Sequence, residues 1–235
     1  MLRYMKWRPG SEASEECANR VVDQDERHLV TGGSGFLGRH LLSRLLRQGN
    51  LVTTVSRREA DFQLSGQGED GRGQLEVLRG DLRDRQWVLD KLGGVRFTTV
   101  FHLAGLIPNP ETPSHEIVER NVTATQNVLD LCGRGGVERL LFSSSKGVYA
   151  YRNPRYNPVD EDHEVAPQGL YGAAKYASEI LAKAYSDRYG LSVIILRLTG
   201  IYGMGREQGA IAGFVRSALR GETIRLEPEA AGRQF

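Results

Sequence analysis

The stretch TGGSGFLG, residues 31–38, constrains the fold more than any other part of the sequence. An apolar run, HLV, precedes it, and apolar residues at helical spacing follow it in FLGRHLLSRLLRQG. Its glycines satisfy both G-x-G-x-x-G and G-x-x-G-x-x-G spacing: Gly32, Gly33, Gly35 and Gly38. In such a turn the backbone approaches a pyrophosphate, and the next helix presents free N–H groups to the anion. The pattern predicts a strand, a phosphate-binding turn and a helix, with a purely structural turn as the alternative.

Strand and helix patterns alternate along the rest of the chain. Strands are predicted at HLVTG, LVTTVS, QLEVLRG, TTVFHLAG, ERLLFSSS and LSVIILRLTG. Besides the first helix, helices are predicted at about 84–92, 115–136, 169–189 and 208–219. This order predicts an α/β fold of the Rossmann type, a doubly wound and mainly parallel sheet with helices on both faces. Residues 1–26 are predicted to be a polar extension of a domain that covers 27–235.

Composition and charge exclude several classes of protein. Lysine and arginine total 31 and aspartate and glutamate 29, so the formal charge of +2 predicts neither nucleic-acid nor anionic-membrane binding. No apolar run approaches the roughly 18 residues of a membrane span. Cys17 and Cys132 fit no metal spacing, so we predict a reduced, cytoplasmic protein without a metal site. The five histidines form no motif, and His102 is expected to pack at a strand end.

A position about 20 residues after the glycine turn commonly selects the cofactor. NAD-binding proteins place an acidic residue there, which binds the ribose hydroxyls. Here the second strand ends in Ser56, Arg57 and Arg58. A guanidinium binds a 2′-phosphate through paired hydrogen bonds, whereas a carboxylate repels it. The sequence therefore favours NADP(H); the alternatives are NAD(H), served by Glu59, and two solvated arginines that open a polar loop at 57–73.

Three further segments are predicted to contact the cofactor. Asp81 and Leu82 follow the third strand in RGDLRD, although a lone aspartate at such a place is often a helix cap. The fourth strand ends in HLAG, where small residues leave room for close backbone approach. The predicted contacts in HLAG and at the start of the first helix are Leu103, Ala104, Gly105, Phe36 and Leu37.

Tyr171 and Lys175 stand four residues apart in LYGAAKYASE, so they share one face of the helix predicted there. An ammonium near a phenol stabilises phenolate and is expected to lower the pKa of Tyr171 from its usual value of about 10. A tyrosine so tuned exchanges a proton with a substrate oxygen while hydride moves at the adjoining carbon. Ser145, at the end of ERLLFSSS, is predicted to hydrogen-bond that oxygen. An ordinary surface pair on a long helix is the alternative.

Seven motifs resemble, in order and spacing, those of the extended short-chain dehydrogenase/reductase family, the NAD(P)-dependent sugar epimerases and dehydratases. They cover about 28–207 and are TGGSGFLG, GDLRD, HLAG, NVTATQNVLDLC, FSSSKGVY, YGAAK and RLTGIYG. The resemblance implies a Ser145–Tyr171–Lys175 triad in which Lys175 also binds the cofactor, with Asn121 as a structural support. It further implies that Leu198 contacts the cofactor.

The resemblance implies an NAD(P)-dependent epimerase or dehydrogenase acting at a carbinol or ketone carbon of a sugar-type small molecule. It implies substrate contacts from Ser145, Thr199 and Gly200, and a homodimer formed through helices 114–132 and 169–189. Two alternatives stay open. One is an NADPH-dependent carbonyl reductase similar to hydroxysteroid dehydrogenases or flavonol reductases, and the other is a non-catalytic cofactor-binding regulator.

Three features depart from the family pattern. Gly200 stands where nucleotide-sugar epimerases often carry an asparagine that contacts the substrate, which weakens a UDP-sugar assignment. Ser145, Lys146 and Gly147 stand where 4,6-dehydratases usually have a threonine and two acids, so that activity is not expected. The chain ends at AAGRQF, where the family continues, and we expect most of a small C-terminal substrate domain to be missing.

Overall fold

The structure is a computed structural model that describes residues 2–4, 27–58, 73–150, 154–156 and 158–224. The chain divides into two compact units, one up to Arg197 and one from Leu198 onward. The first unit holds the sheet, and the second holds the last helix. Most of the predicted extension at 1–26 and of the predicted loop at 57–73 lies outside the described residues.

The strands of the described residues form one sheet. They are β1 (Leu2–Tyr4), β2 (Arg27–Thr31), β3 (Leu51–Ser56), β4 (Gln74–Arg79), β5 (Thr99–His102), β6 (Arg139–Ser145) and β7 (Ser192–Leu198). Their order across the sheet is β1-β7-β6-β5-β2-β3-β4. The pairs β2/β3, β3/β4, β2/β5 and β5/β6 are parallel, and Leu29 lies opposite both Thr53 and Val100. The chain moves from β2 to β4 on one side and then to β5 on the other. This reversal confirms the doubly wound fold, in which ligands bind where the direction changes.

Helices connect most of these strands. They are α1 (Phe36–Arg47), α2 (Arg85–Leu92), α3 (Ser114–Val118), α4 (Ala124–Gly135), α5 (Gly169–Tyr189) and α6 (Ala210–Leu219). A π-helical turn (Glu119–Thr123) joins α3 to α4, and a 3₁₀ turn (Lys146–Val148) follows β6. Asp84 caps α2 by accepting the Trp87 backbone N–H at 3.0 Å. Of the helices in the described ranges, none combines the length and the apolar character that crossing a membrane requires.

Two groups of buried apolar side chains cover the two faces of the sheet. Successive residues of a strand point to opposite faces, and in β2 Leu29 belongs to the larger group and Val30 to the smaller. The larger group includes residues of α2, α4 and α5 together with the fully buried Phe142 of β6. The smaller one packs α1 against β2 and β3 through Leu42 and Val52. Helices therefore cover both faces, and the carboxyl ends of the strands are left as the edge at which a site can form.

The π-helical turn is a departure from the sequence, which predicts one continuous helix at 115–136. The fully buried side chain of Asn121 explains the interruption. Its Nδ2 donates to the carbonyl O of Ile117 at 2.9 Å and of Leu106 at 3.1 Å, while its Oδ1 accepts the Leu106 N–H at 3.2 Å. A buried amide requires such partners. One of them, Leu106, belongs to the loop after β5, and helical periodicity does not report that contact.

The N-terminal extension contributes a strand that the sequence does not predict. Leu2–Tyr4 pairs in parallel with Val193–Ile195 at the edge of the sheet. An edge strand presents unpaired N–H and C=O groups to any segment that reaches it. The pairing therefore depends on β7, which is formed by residues nearly 200 positions later in the chain.

Candidate active site

The glycine turn after β2 has the geometry that its spacing predicts. Gly32 has a φ of +74°, and a Cβ on it would lie 2.8 Å from the backbone N of Ala104. A Cβ on Gly38 would overlap the carbonyl O of Gly32. The N–H of Gly35 donates to the same carbonyl at 3.0 Å and closes the turn. Backbone atoms therefore fill the space that side chains would need, and the turn, α1 and the end of β5 pack in direct contact.

A cleft of about 240 Å³ opens where β2, β3, β4 and β5 end. The predicted cofactor residues that line it are Gly32, Gly35, Ser56, Arg57, Asp81, Leu82, Leu103, Ala104 and Gly105. Residues that were not predicted also line it: Ser34, Val55, Gly80, Arg83, Arg120 and Ala124. Bare backbone at the turn, the N-terminus of α1 and several guanidinium groups all fit the phosphates of a dinucleotide.

One side of the cleft is basic. Arg83 binds Asp81 at 2.7 Å and Glu119 at 3.0 Å, so its charge is balanced, and its hydrogen bonds hold the pKa of Asp81 below the usual range. Burial lowers the pKa of the partly exposed Arg57, and the charge of Arg120 acts in the same direction. Arg120 pairs with Glu116 through Nη2 at 2.7 Å, whereas its buried Nε has no hydrogen-bond partner among the described residues. The cleft therefore presents the Arg57 guanidinium and the unbonded Nε–H of Arg120 to an anion.

Gly105 joins the cleft to the predicted catalytic residues. A Cβ on Gly105 would lie 2.8 Å from Asn121 Oδ1 and 3.0 Å from Lys175 Nζ. The Lys175 side chain is 3% exposed, and its Nζ donates to the carbonyl O of Ser143 at 3.0 Å. Only a residue without a side chain leaves the Lys175 ammonium this close to the wall of the cleft.

The buried position of Lys175 changes its acidity. Burial lowers the pKa of Lys175 to about 8, and the charge of Glu179 acts in the opposite direction. The ammonium also lies 5.1 Å from the ring centroid of Phe142, a contact that weakly favours the cation. Lys175 therefore stays charged at neutral pH but loses its proton well before an exposed lysine does.

Ser145 and Tyr171 meet across the end of β6 and the start of α5. Ser145 Oγ accepts the Gly147 N–H at 3.1 Å, and its hydroxyl lies close enough to the Tyr171 phenol to act on its pKa by hydrogen bonding. Burial raises the pKa of Tyr171, and the hydrogen bond with Ser145 acts to lower it. The sequence-based prediction of a lowered pKa is therefore wrong for this structure. The reason is that desolvation of the phenol is the largest effect, while the Lys175 ammonium donates to Ser143.

The remaining predicted residues lie at several places. Phe36 and Leu37 are half-buried at the start of α1, and the ring of Phe36 contacts the edge of His40 at 5.0 Å between centroids. The carbonyl O of Arg58 accepts the Ser56 hydroxyl at 2.8 Å. Cofactor contacts by Phe36, Leu37, Gly38, Arg58 and Lys175 stay predictions. So do the roles of three residues in the second unit, Leu198, Thr199 and Gly200.

His102 does more than pack, which the sequence does not reveal. The Ala104 N–H donates to Thr31 Oγ1 at 3.2 Å, and that hydroxyl donates to His102 Nδ1 at 2.7 Å. His102 Nε2 then donates to Thr125 Oγ1 at 2.9 Å, which in turn donates to the carbonyl O of Asn121 at 2.6 Å. This order requires the neutral imidazole. Burial agrees with it and lowers the pKa of His102 to about 3. The chain of bonds connects the cleft wall to Asn121.

Sequence reasoning did not find Arg83 or Arg120 as cleft residues. Arg83 is part of the motif GDLRD and Arg120 directly precedes Asn121, so both stand beside recognised positions. Their proximity to Arg57 depends on how β3, β4 and the π turn meet, which no local pattern expresses.

The glycine turn, the reversal of direction at β2 and the basic cleft above it define a dinucleotide-binding domain of the Rossmann type. Residues 28–234 match the family described as the NAD dependent epimerase/dehydratase family. The chain belongs to this family.

Named relatives and solved structures agree with this assignment. A putative UDP-glucose 4-epimerase of Methanocaldococcus jannaschii is 29% identical over 83% of this chain and 64% of its own length. UDP-glucuronate 4-epimerase 3 of Arabidopsis thaliana is 31% identical over 84% of this chain and 48% of its own length. MoeE5 in complex with UDP-glucuronic acid and NAD is 36% identical, with a TM-score of 0.69, over 83% of this chain and 62% of that chain.

The Bordetella bronchiseptica enzyme WbmG in complex with NAD gives a TM-score of 0.71 at 26% identity, over 84% of this chain and 61% of that chain. This chain therefore spans between about half and two thirds of the length of these relatives.

Proposed function

We propose that this chain is the cofactor-binding part of an NAD(P)-dependent enzyme that epimerises a sugar nucleotide by hydride transfer at a carbinol carbon. The observation that carries the proposal is that Ser145 adjoins the Tyr171 phenol, while Lys175, four residues along the same helix, is buried and adjoins the cleft behind Gly105. The relatives named UDP-sugar epimerases support a sugar-nucleotide substrate.

The proposed roles follow from the positions of the three side chains. A bound nicotinamide would supply reversible hydride transfer at the substrate carbon. Ser145 holds the reacting oxygen, and Tyr171 transfers its proton. Because burial raises the pKa of Tyr171, the phenol holds its proton at neutral pH. The phenolate, which accepts the proton of the substrate hydroxyl, would be favoured by the positive charge of a bound oxidised nicotinamide. Lys175, whose ammonium donates to Ser143, is proposed to bind the cofactor.

We also propose that the cleft prefers NADP(H). Arg57 at the end of β3 and the unbonded Nε of Arg120 support this preference, because a 2′-phosphate would pair with the Arg57 charge and accept the Arg120 N–H. NAD(H) is the alternative, and it is supported by MoeE5 and WbmG, whose structures hold NAD. An NADPH-dependent carbonyl reductase is the second candidate function, and the same arginines favour it.

The test is to incubate the purified chain with NAD or NADP and with UDP-glucose or UDP-glucuronic acid, and to separate the sugar nucleotides by chromatography. We expect one of them to be converted to its 4-epimer without net formation of reduced cofactor. Tyr171→Phe is expected to lower the rate by about 10²- to 10⁴-fold while the affinity for the dinucleotide is kept.

Tyr189→Phe is the matched control, since it removes a phenol from an exposed position of the same helix, and we expect it to keep the wild-type rate. Net consumption of NADPH with a carbonyl substrate and no epimer would favour the reductase. If Tyr171→Phe kept full turnover, the proposed proton transfer would be wrong, and cofactor binding without any turnover would favour a regulator.

Two further properties are proposed. The first is a homodimer formed through helices 114–132 and 169–189. It is supported by exposed apolar side chains on these helices, Val118 at 40% and Ile180 at 54%. Light scattering during size-exclusion chromatography would test it, and a monomer at micromolar concentration would contradict it. A cytoplasmic location agrees with Cys132, a buried free cysteine whose thiol pKa is raised by burial.

A further inference from the structure

A buried carboxylate lies two turns along α5 from Tyr171. Tyr171, Lys175 and Glu179 follow one another at intervals of four residues and so share one helix face. Glu179 is 3% exposed, and the proposed proton transfer makes no use of it. A buried carboxylate is tolerated only when it is paired and hydrogen-bonded, so its partners show what it holds in place.

The partners of Glu179 come from two strands. Arg197 of β7 donates from Nη2 to Oε2 at 2.7 Å and from Nε to Oε1 at 3.0 Å, and both side chains are less than a tenth exposed. Ser144 of β6 donates from Oγ to Oε1 at 2.5 Å. This one carboxylate therefore ties α5 to the carboxyl-terminal parts of β6 and β7.

Ser144 stands between two residues on which the proposed site depends. The carbonyl O of the preceding residue, Ser143, accepts the Lys175 ammonium, and the following residue, Ser145, adjoins the Tyr171 phenol. A shift of Ser144 would therefore displace both contacts at once, because the three residues are consecutive in one strand.

Arg197 extends the same network beyond the strand end. Its Cζ lies 4.6 Å from the ring centroid of Tyr149, and its guanidinium acts to lower the pKa of that phenol. Tyr149 directly follows the 3₁₀ turn that begins after Ser145. Ser145 is thus flanked on both sides by residues that connect to the Glu179–Arg197 pair.

We infer that Glu179 is a positioning residue, whose carboxylate fixes the end of β6 that carries Ser145 and keeps the neighbouring Lys175 ammonium charged. The importance of Glu179 for catalysis rests on the proposed function. Its contacts with Ser144 and Arg197 are independent of that function. Among the described residues, the groups near Lys175 are Glu179 of α5, Ser143 and Phe142 of β6, His102 of β5 and Asn121 of the π turn. Arg197 of β7 pairs with Glu179. His102 is neutral, Arg197 is cationic, and Glu179 supplies the negative charge.

The inference is tested by following the titration of Lys175 directly. The chain has five lysines, so isotope-labelled lysine gives few NMR signals, and Lys175→Arg identifies the one that belongs to Lys175. In the wild type we expect a titration midpoint near 8. In Glu179→Gln we expect the midpoint to fall by about one pH unit or more, since an adjacent opposite charge has been removed.

Asp187→Asn is the matched control, because it removes one negative charge from an exposed position of the same helix and should leave the midpoint where it is. Glu179→Asp keeps the charge, so its Lys175 midpoint should stay close to that of the wild type. An unchanged Lys175 midpoint in a folded Glu179→Gln protein would overturn the inference. A fall in melting temperature would not rescue it, because a merely structural role of Glu179 would also lower stability. The titration needs no substrate, so its result is independent of whether the chain proves to be an epimerase.

Glu179→Gln leaves Arg197 buried without its partner and is the variant at risk of not folding. In that case Glu179→Gln combined with Arg197→Gln removes both charges, and a smaller fall of the Lys175 midpoint is expected, because the loss of the Arg197 cation acts in the opposite direction. If the epimerase assay succeeds, the activity of Glu179→Gln should decline at a lower pH than that of the wild type. Ser144→Ala, which keeps the carboxylate, should lower kcat without moving that decline, and an equal pH shift in Ser144→Ala would contradict the assigned charge effect.

Discussion

The two ends of the site are held together by different forces. At the glycine turn, Gly32 and Gly38 pack backbone against backbone, and the fit depends on volume alone. At the proposed catalytic end, Lys175 and Glu179 are buried charges held by polar partners. The turn should therefore be sensitive to added atoms and insensitive to pH, whereas the catalytic end should respond to pH and to the loss of charge.

The largest effect is expected from Gly38→Ala. The new Cβ would overlap the Gly32 carbonyl, and neither backbone segment can move away. We expect dinucleotide binding to be lost and the free energy of unfolding to fall by about 3 kcal/mol, as measured by calorimetric titration and urea denaturation. Gly94→Ala is the control, because nothing lies within 4 Å of a Cβ there. Normal dinucleotide binding by Gly38→Ala would show that the glycine turn tolerates an added methyl group and is not limited by close backbone packing.

Lys175→Met should make the protein more stable and inactive. A pKa lowered from 10.5 to about 8 means that the buried charge lowers the free energy of unfolding by about 3 kcal/mol at pH 7. The substitution also removes the hydrogen bond to Ser143, which stabilises the fold by about 1 kcal/mol. The variant should thus gain about 2 kcal/mol.

The sign of the Lys175→Met effect depends on pH. The cost of the charge is fully present below pH 8 and disappears as the pH rises from about 8 to 10.5, since the folded protein loses this proton before the unfolded chain does. Urea denaturation at pH 7 and pH 10 measures the change. A variant that is less stable at both pH values by the same amount would contradict the prediction.

His102→Gln tests the chain of hydrogen bonds that connects the two ends of the site. With a pKa of about 3 instead of the usual 6.5, neutral His102 contributes stability that is present above pH 6.5 and is lost as the pH falls toward 3. At pH 5.5 the loss amounts to about 1 kcal/mol. Acidification from pH 7 to 5.5 should therefore destabilise the wild type by about that much more than His102→Gln in thermal unfolding. Equal acid sensitivity would mean that His102 is protonated in the folded protein.

The smallest effect is expected at the open, basic side of the cleft. Arg57→Gln should weaken NADPH binding about fivefold, because a partly exposed charged hydrogen bond contributes about 1 kcal/mol, while NADH binding should change little. Fluorescence titration with both cofactors measures the ratio, and Arg58→Gln shows whether the neighbouring arginine shares the role. An equal loss for both cofactors would remove the support for an NADP(H) preference.

Local patterns predicted the parts of the fold that depend on near neighbours in the sequence. The glycine turn, α1, α2 and the succession of strands along the chain follow from spacing that is visible within about 20 residues. The π turn at Asn121 and the strand Leu2–Tyr4 do not, since each depends on a partner elsewhere in the chain, the loop at Leu106 in one case and β7 in the other.

The sequence by itself determined a Rossmann-type domain and predicted Ser145, Tyr171 and Lys175 as the catalytic residues. It could do so because periodicity, glycine spacing and the four-residue interval are local properties. The tertiary structure alone decided the direction of the Tyr171 pKa, the basic surroundings of Arg57 and the contacts of Glu179 with Ser144 and Arg197. The physical reason is that burial and charge act between groups that are close in space. Ser144 and Glu179 are 35 positions apart in the chain, and only the folded protein brings their side chains together.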